Sequence, residues 1–303
     1  MTETSPDRPF AGILLMLGFC MLIPLSDAMA KILGETVALP VILLARFVLQ
    51  AAILVAVLGV MRGSLRVPPG LRLWVLLRTV LFIAGMGLMF AALRVLPLAD
   101  AVAIAFVMPF VLLLLGHLTL GEEVGAVRLG ACAVGFVGTL LVIQPNFVEV
   151  GVAALLPLGV AVVFAVFMLV TRRVTRGIGP VALQAITGLQ GAAILLPLVL
   201  LTLPSEALAG PLGDGPTLGR MLAMGVFGSV AHLAMTWSLR LAPASTLAPM
   251  QYLEIPFATL VGLLVFGDLP DGLALIGICV TIAAGLFVVF RERAIAARPL
   301  PAP

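Results

Sequence analysis

An all-α, polytopic membrane protein is the fold class this sequence predicts, with ten transmembrane helices built as two inverted five-helix repeats. Composition is the first observation behind it: 62% of the 303 residues are hydrophobic and 10% are charged, with a mean hydropathy of +1.27. Soluble domains carry about a quarter charged residues, so a water-exposed surface is excluded. The second is segmentation into apolar runs, each near the roughly 20 helical residues, at about 1.5 Å apiece, that cross a bilayer. The third is a similarity between the two halves of the chain.

Met1 to Pro9 is polar and lacks the basic segment of a secretory signal, so the first span is expected to stay uncleaved. Five apolar runs follow, Phe10 to Ile32, Leu39 to Val60, Leu71 to Leu93, Leu98 to Leu118 and Gly125 to Ile143. Five more lie at Gly151 to Thr171, Pro180 to Leu201, Thr217 to Leu239, Thr246 to Phe266 and Gly272 to Phe290. The expected division is a tail (1–9), a first repeat (10–146), a second repeat (147–290) and a closing tail (291–303). Joints this short leave no room for a soluble domain, so function must reside among helices.

Twelve of the seventeen Lys and Arg residues lie on the side of the N-terminus, against Lys31, Arg94 and Arg220 on the other. The positive-inside rule then puts both termini in the cytoplasm. Sixteen arginines against a single lysine point to a GC-rich bacterial coding sequence, and so to the inner (plasma) membrane. A formal charge of +3, dispersed along the chain, gives nucleic acid nothing to bind. Cys20, Cys132 and Cys279 all fall inside apolar runs and suggest neither a disulfide framework nor a metal site.

The halves align closely. Leu93 to Pro97 matches Leu239 to Pro243 at an offset of 146, Pro109-Phe110 matches Pro256-Phe257 at 147, and Gly121-Glu122 matches Gly267-Asp268 at 146. Gly130, Cys132 and Gly138 meet Gly277, Cys279 and Gly285 at 147, and Pro40 and Gln50 meet Pro180 and Gln190 at 140. Each copy holds five spans, and five is odd. The second copy must therefore sit upside down, as in secondary transporters that bind substrate at the bilayer midplane.

Candidate residues are polar ones that an apolar helix has no other reason to carry. Glu254, with Gln251 three residues earlier on the same face, is a carboxylate near mid-depth, suited to a cationic group or a proton. Pro256 lacks an N–H and is expected to free the carbonyl of Tyr252, and Pro109 marks the same break in the first copy. Asp27 and Lys31, four apart, read either as a gate or as an interfacial ion pair. Arg46, near the centre of the second span and sharing a face with Gln50, is expected to meet Asp27, Glu254 or a bound anion. Ser229, His232 and Thr236 form a polar stripe beside Trp237, expected to border water or substrate, while Trp237, Tyr252 and Phe106 are candidates for stacking on a planar ligand. Asp100 reads as a helix cap, Arg78 as a snorkelling side chain, and Gly130, Gly135, Gly138, Gly277 and Gly285 as sites of close helix packing.

The stretch Leu253-Glu254-x-Pro256-x-Ala258, then Gly267-Asp268 and a glycine-spaced last helix, resembles the EamA domain, and Phe106 to Gly138 echoes it. The whole chain is thereby similar to a ten-helix member of the drug/metabolite transporter superfamily. A looser resemblance, through Asp27 to Lys31 and Arg46, is to the branch of bacterial riboflavin and S-adenosylmethionine carriers. The resemblance implies a cavity lined by the third, fourth, eighth and ninth helices, with the fifth and tenth serving as scaffold or homodimer contacts. One departure stands out: the first copy has Val107 where the second has Glu254.

Secondary transport of a small amphipathic organic metabolite by alternating access is the function expected, by proton coupling or by exchange. The substrate is a vitamin, nucleoside-type metabolite, amino acid or drug, so a multidrug or amino-acid exporter of the same superfamily stays open. A polytopic enzyme is disfavoured. His117 and His232 are far apart in sequence, and H-E-x-x-H, G-x-S-x-G and Walker motifs are missing, so neither catalytic residues nor a metal or other cofactor is expected.

Overall fold

Helices running back and forth make up the computed structural model, which describes residues 8–95, 104–121, 124–144, 151–204, 206–267 and 272–296. The first half holds α1 (Pro9–Gly34), α2 (Leu39–Val60), α3 (Arg72–Val95), α4 (Met108–Leu120) and α5 (Ala126–Ile143). Its counterpart holds α6 (Leu155–Val174), α7 (Pro180–Thr202), α8 (Gly215–Leu241), α9 (Glu254–Phe266) and α10 (Gly272–Ala296). Among the described residues eight spans are long and apolar enough to cross a membrane, and α4 and α5 are shorter apolar helices. Asp100, Glu122, Asp268 and Asp271 lie outside the described residues.

Local chemistry explains the ends. Proline stands at the first or second position of α1, α2, α4, α7 and α8, where its missing N–H costs nothing. Asp214 caps α8 by accepting from the Thr217 N–H at 3.0 Å. The glycine of the repeated Gly-acid signature has one physical job in both copies. Gly121 closes α4 at φ 64° and Gly267 closes α9 at φ 75°, the left-handed cap that a side chain would strain.

Each half breaks at the same place. Ile104 and Ala105 are helical, Phe106 and Val107 form a turn, and α4 begins at Met108. In the second copy a helical turn (Ala244–Leu247) runs into a 3-10 stretch (Ala248–Leu253) before α9 starts at Glu254. The irregularity thus precedes Pro256, which occupies the first turn of α9. Pro109 likewise lies in the first turn of α4.

Packing repeats the sequence symmetry. Exchanging the halves turns the α1–α8 contact into α6–α3, α9–α1 into α4–α6, and α2–α8 into α7–α3, and every one of these contacts is present. The contacts α2–α7 and α5–α10 map onto themselves and lie on the pseudo-twofold axis. Gly138 and Gly277 let α5 and α10 touch, since a Cβ on Gly277 would meet the Gly138 carbonyl. Gly130 departs from the close-packing expectation, with nothing within 4 Å of where its Cβ would be.

The two ends of the bundle differ. At the near end, where α1, α3 and α7 begin and α2, α6 and α8 finish, every residue from Pro180 to Gly188 is buried, as is every residue from Ala244 to Leu253. The Arg172 guanidinium donates to the carbonyls of Leu239 (3.0 Å) and Ala242 (2.5 Å), and Ser238 donates to Gly12 at 2.6 Å. Toward the far end, Asp27 and Lys31 on α1 are exposed.

Candidate functional site

The break in the ninth span presents two adjacent polar side chains. Gln251, in the second half of the 3-10 stretch, is almost fully buried, and its Nε2 has no hydrogen-bond partner among the described residues. Glu254 is half-buried at the first turn of α9, where the helix dipole favours a carboxylate. Cys20 of α1 lies close enough to Glu254 to feel its charge, and its thiol donates to the Met250 carbonyl at 3.6 Å.

Asp27 completes the group. It interacts electrostatically with both Arg46 and Glu254, and it is surrounded by protein yet open at its surface. A carboxylate facing lipid would be costly, and the Arg46 charge gives Asp27 a reason to face the interior of the bundle. Lys31 takes no part in it. Its ammonium sits 4.2 Å from the centre of the Phe266 ring, so the expected Asp27–Lys31 pair gives way to a cation–π contact at the end of α9.

Arg46 is 2% exposed and forms no direct ion pair among the described residues. Its Nη1 donates to Gln50 Oε1 (3.2 Å) and Ser229 Oγ (3.4 Å), while Nη2 lies 3.2 Å from His232 Nδ1. Gly228 makes room for it, because any Cβ there would collide with the guanidinium. The expected carboxylate partner is replaced by neutral acceptors, with Asp27 acting from beyond contact. His232 Nδ1 also lies 3.1 Å from the Gly228 carbonyl. One nitrogen cannot accept from Arg46 and donate to Gly228 at once, so the tautomer decides which contact is a hydrogen bond.

From Gln50 the network runs on. Its Nε2 donates to Gln184 Oε1 (2.8 Å), and Gln184 Nε2 donates to Thr236 Oγ1 (2.6 Å) and the His232 carbonyl (2.8 Å). Thr236 also accepts from Arg78 Nη2 at 3.5 Å. Arg78 is wholly buried, with Nε donating to Thr171 (2.8 Å), Nη1 to Thr187 (2.5 Å) and its plane 4.6 Å from Phe167. The expected snorkelling is wrong, because three hydroxyls and an aromatic face hold the guanidinium inside. Ser229, His232 and Thr236 are buried for the same reason: their stripe faces other helices rather than water.

Aromatic residues split into two groups. Phe82 meets His232 at 4.7 Å, Phe47 at 5.3 Å and Phe167 at 5.1 Å, a cluster that sequence reasoning missed. Tyr252 is fully buried, and its hydroxyl donates to the Phe106 carbonyl at 3.1 Å with the rings 5.9 Å apart. These two residues join the breaks of the two copies to each other. Trp237 lies instead under the Arg240 guanidinium, 5.5 Å away, and no described contact brings it to Glu254. Gln184, Thr187 and Thr171 were also missed; the one available signal was a glutamine and a threonine three apart on an otherwise apolar α7.

Known proteins resemble this chain at several levels. The model of the EamA-like transporter family matches residues 10–144 and 151–291. A riboflavin transporter of Rhizobium johnstonii is 32% identical over 202 residues, which cover 65% of this chain and 63% of that protein. A riboflavin transporter of Vibrio cholerae is 26% identical over 196 residues, 63% of this chain and 62% of its own length. An S-adenosylmethionine uptake transporter of Rickettsia felis is 24% identical over 197 residues, 65% of each. The matches thus span somewhat under two thirds of these relatives. A crystal structure of another protein shares the fold, with a TM-score of 0.76, 21% identity, and coverage of 94% of this chain and 98% of that one.

Proposed function

The chain belongs to the EamA-like transporter family, and on that premise we propose that it is a secondary transporter for a flavin-like metabolite. In this reading the metabolite crosses a bacterial inner membrane by alternating access, with both chain termini in the cytoplasm. The carrying observation is the broken ninth span, which sets the unpartnered Gln251 amide and the half-buried Glu254 carboxylate across from the exposed Asp27. An amide donor with no acceptor leaves a polar demand that a ligand carbonyl meets. The two carboxylates accept from ligand N–H or hydroxyl groups. Isoalloxazine offers carbonyl and N–H on one edge of an apolar ring, and the ribityl chain offers hydroxyls.

Relatives named as riboflavin transporters support the same substrate class. Discontinuous helices are the usual place for such sites, because the interrupted backbone and the half-helix terminus lie where two inverted repeats meet. Arg46 and His232 contribute through the network behind Asp27 rather than by touching the ligand. Phe106 and Tyr252 hold the two breaks in register.

Riboflavin added to the purified protein in detergent is expected to raise its thermal midpoint, since a ligand that binds only the folded state stabilises it. Proteoliposomes are expected to accumulate it faster than protein-free vesicles. Neither a shift nor uptake with riboflavin, alongside both with an adenosyl sulfonium, would overturn the flavin assignment.

A further inference from the structure

Two buried guanidiniums in one hydrogen-bonded chain, with no carboxylate in contact with either among the described residues, are more than helix packing requires. Arg78 reaches α6 through Thr171, α7 through Thr187 and α8 through Thr236, so one side chain of α3 ties four helices together. All four residues lie toward the near end: Arg78 is in the second turn of α3, Thr187 is in the second or third turn of α7, and Thr171 and Thr236 are in the last two turns of α6 and α8. That is the sealed end of the bundle. Asp27, which is exposed, lies toward the other end.

We propose that Arg78 is a positioning residue of the transport cycle: with Thr171, Thr187 and Thr236 it bolts the near end shut, and its release lets the site open there. The proposal rests on the transporter reading above. Three features support it. The bolt is polar, so a guanidinium that loses three hydroxyls on opening regains water in their place, and both the closed and the open states satisfy it. An apolar seal would have no such second minimum.

The bolt is also absent from the symmetry-related end. At the offsets that relate the halves, Met224 corresponds to Arg78, Ile186 to Arg46 and Phe47 to Thr187. Two otherwise matched halves therefore close differently, and the state sealed at the near end is favoured. Finally, the bolt is wired to the site. Arg46, which feels Asp27, shares the Gln50–Gln184–Thr236 chain with Arg78. Binding that alters the surroundings of Asp27 acts on Arg46, and through shared acceptors on the far member of the chain.

Hydrogen–deuterium exchange of the full chain in nanodiscs, without substrate, tests this. Arg78→Gln is expected to raise uptake about twofold or more in near-end peptides of α3, α6 and α7, and to lower it in the far half of α1 around Asp27, because alternating access opens one end as it closes the other. Thr187→Val is expected to give the same pattern more weakly, and Arg78→Lys to fall between Arg78→Gln and the parent. Increased exchange at both ends marks general loosening and overturns the proposal, as does an unchanged profile at the near end. Because no ligand is present, a wrong substrate assignment leaves this result intact.

Discussion

The fourth and ninth spans are two copies of one device used for different ends. Both interrupt the helix just before a proline, at Phe106-Val107 and at Ala248–Leu253, and both close on a left-handed glycine. Only the ninth carries a carboxylate at its break, since Glu254 stands where the first copy has Val107. The first break is instead sealed, its Phe106 carbonyl taken by the Tyr252 hydroxyl. The geometry occurs twice, but the copies differ at the two positions that give the ninth span its candidate site, where Glu254 corresponds to Val107 and Gln251 to Ile104 at the offset of 147.

The sharpest way to break that comparison is to make the copies chemically alike. Glu254→Gln keeps shape and hydrogen bonding but removes the charge, and uptake in proteoliposomes is expected to fall by about tenfold or more with the thermal midpoint preserved. Full uptake at every pH would put the chemistry elsewhere. Next in size is the support itself. A Cβ on Gly135 would lie 2.6 Å from the Tyr252 ring, so Gly135→Ala is expected to destabilise the fold by about 1–3 kcal/mol, read from thermal unfolding in detergent.

Tyr252→Phe is milder. It deletes one hydrogen bond and leaves the Phe106 carbonyl to other partners, a loss of about 1 kcal/mol, with the midpoint lowered less than in Gly135→Ala. The smallest effect falls outside both breaks. The Thr217 hydrogen bonds hold the exposed Asp214 carboxyl below its ordinary range. A depressed acid stabilises the fold above its unfolded pKa and loses that contribution as pH falls through the folded value. Asp214→Ala is therefore expected to flatten the acid limb of the stability profile slightly and to leave transport alone.

Sequence reasoning read the architecture well, and it named some of the residues that the structure brings to the candidate site. Glu254, Gln251 and Asp27 were visible because an ionisable or amide group in an apolar helix has few innocent explanations. Lys31 was visible for the same reason and Trp237 as a ring able to stack on a planar ligand, and they sit against Phe266 and Arg240. Arg46 was expected to find an acid and found Gln50, Ser229 and His232 instead. Spacing along one helix tells which residues share its face. It does not tell which neighbouring helix that face meets.

By itself, then, the sequence determined the spans and the inverted repeat, because hydropathy and left-handed glycine act within a few residues of where they stand; the breaks, expected at Pro256 and Pro109, fall just before them, with each proline in the first turn of the next helix. Only the tertiary structure decided that Arg78 is swallowed rather than snorkelling, that the stripe on α8 faces other helices, and that Lys31 meets the Phe266 ring rather than Asp27. A buried guanidinium accepts any set of oxygens that fills its donors, whether from carboxylates, amides or hydroxyls. The choice among them is made by helices far apart in the chain, brought together by the pseudo-twofold packing of the two halves.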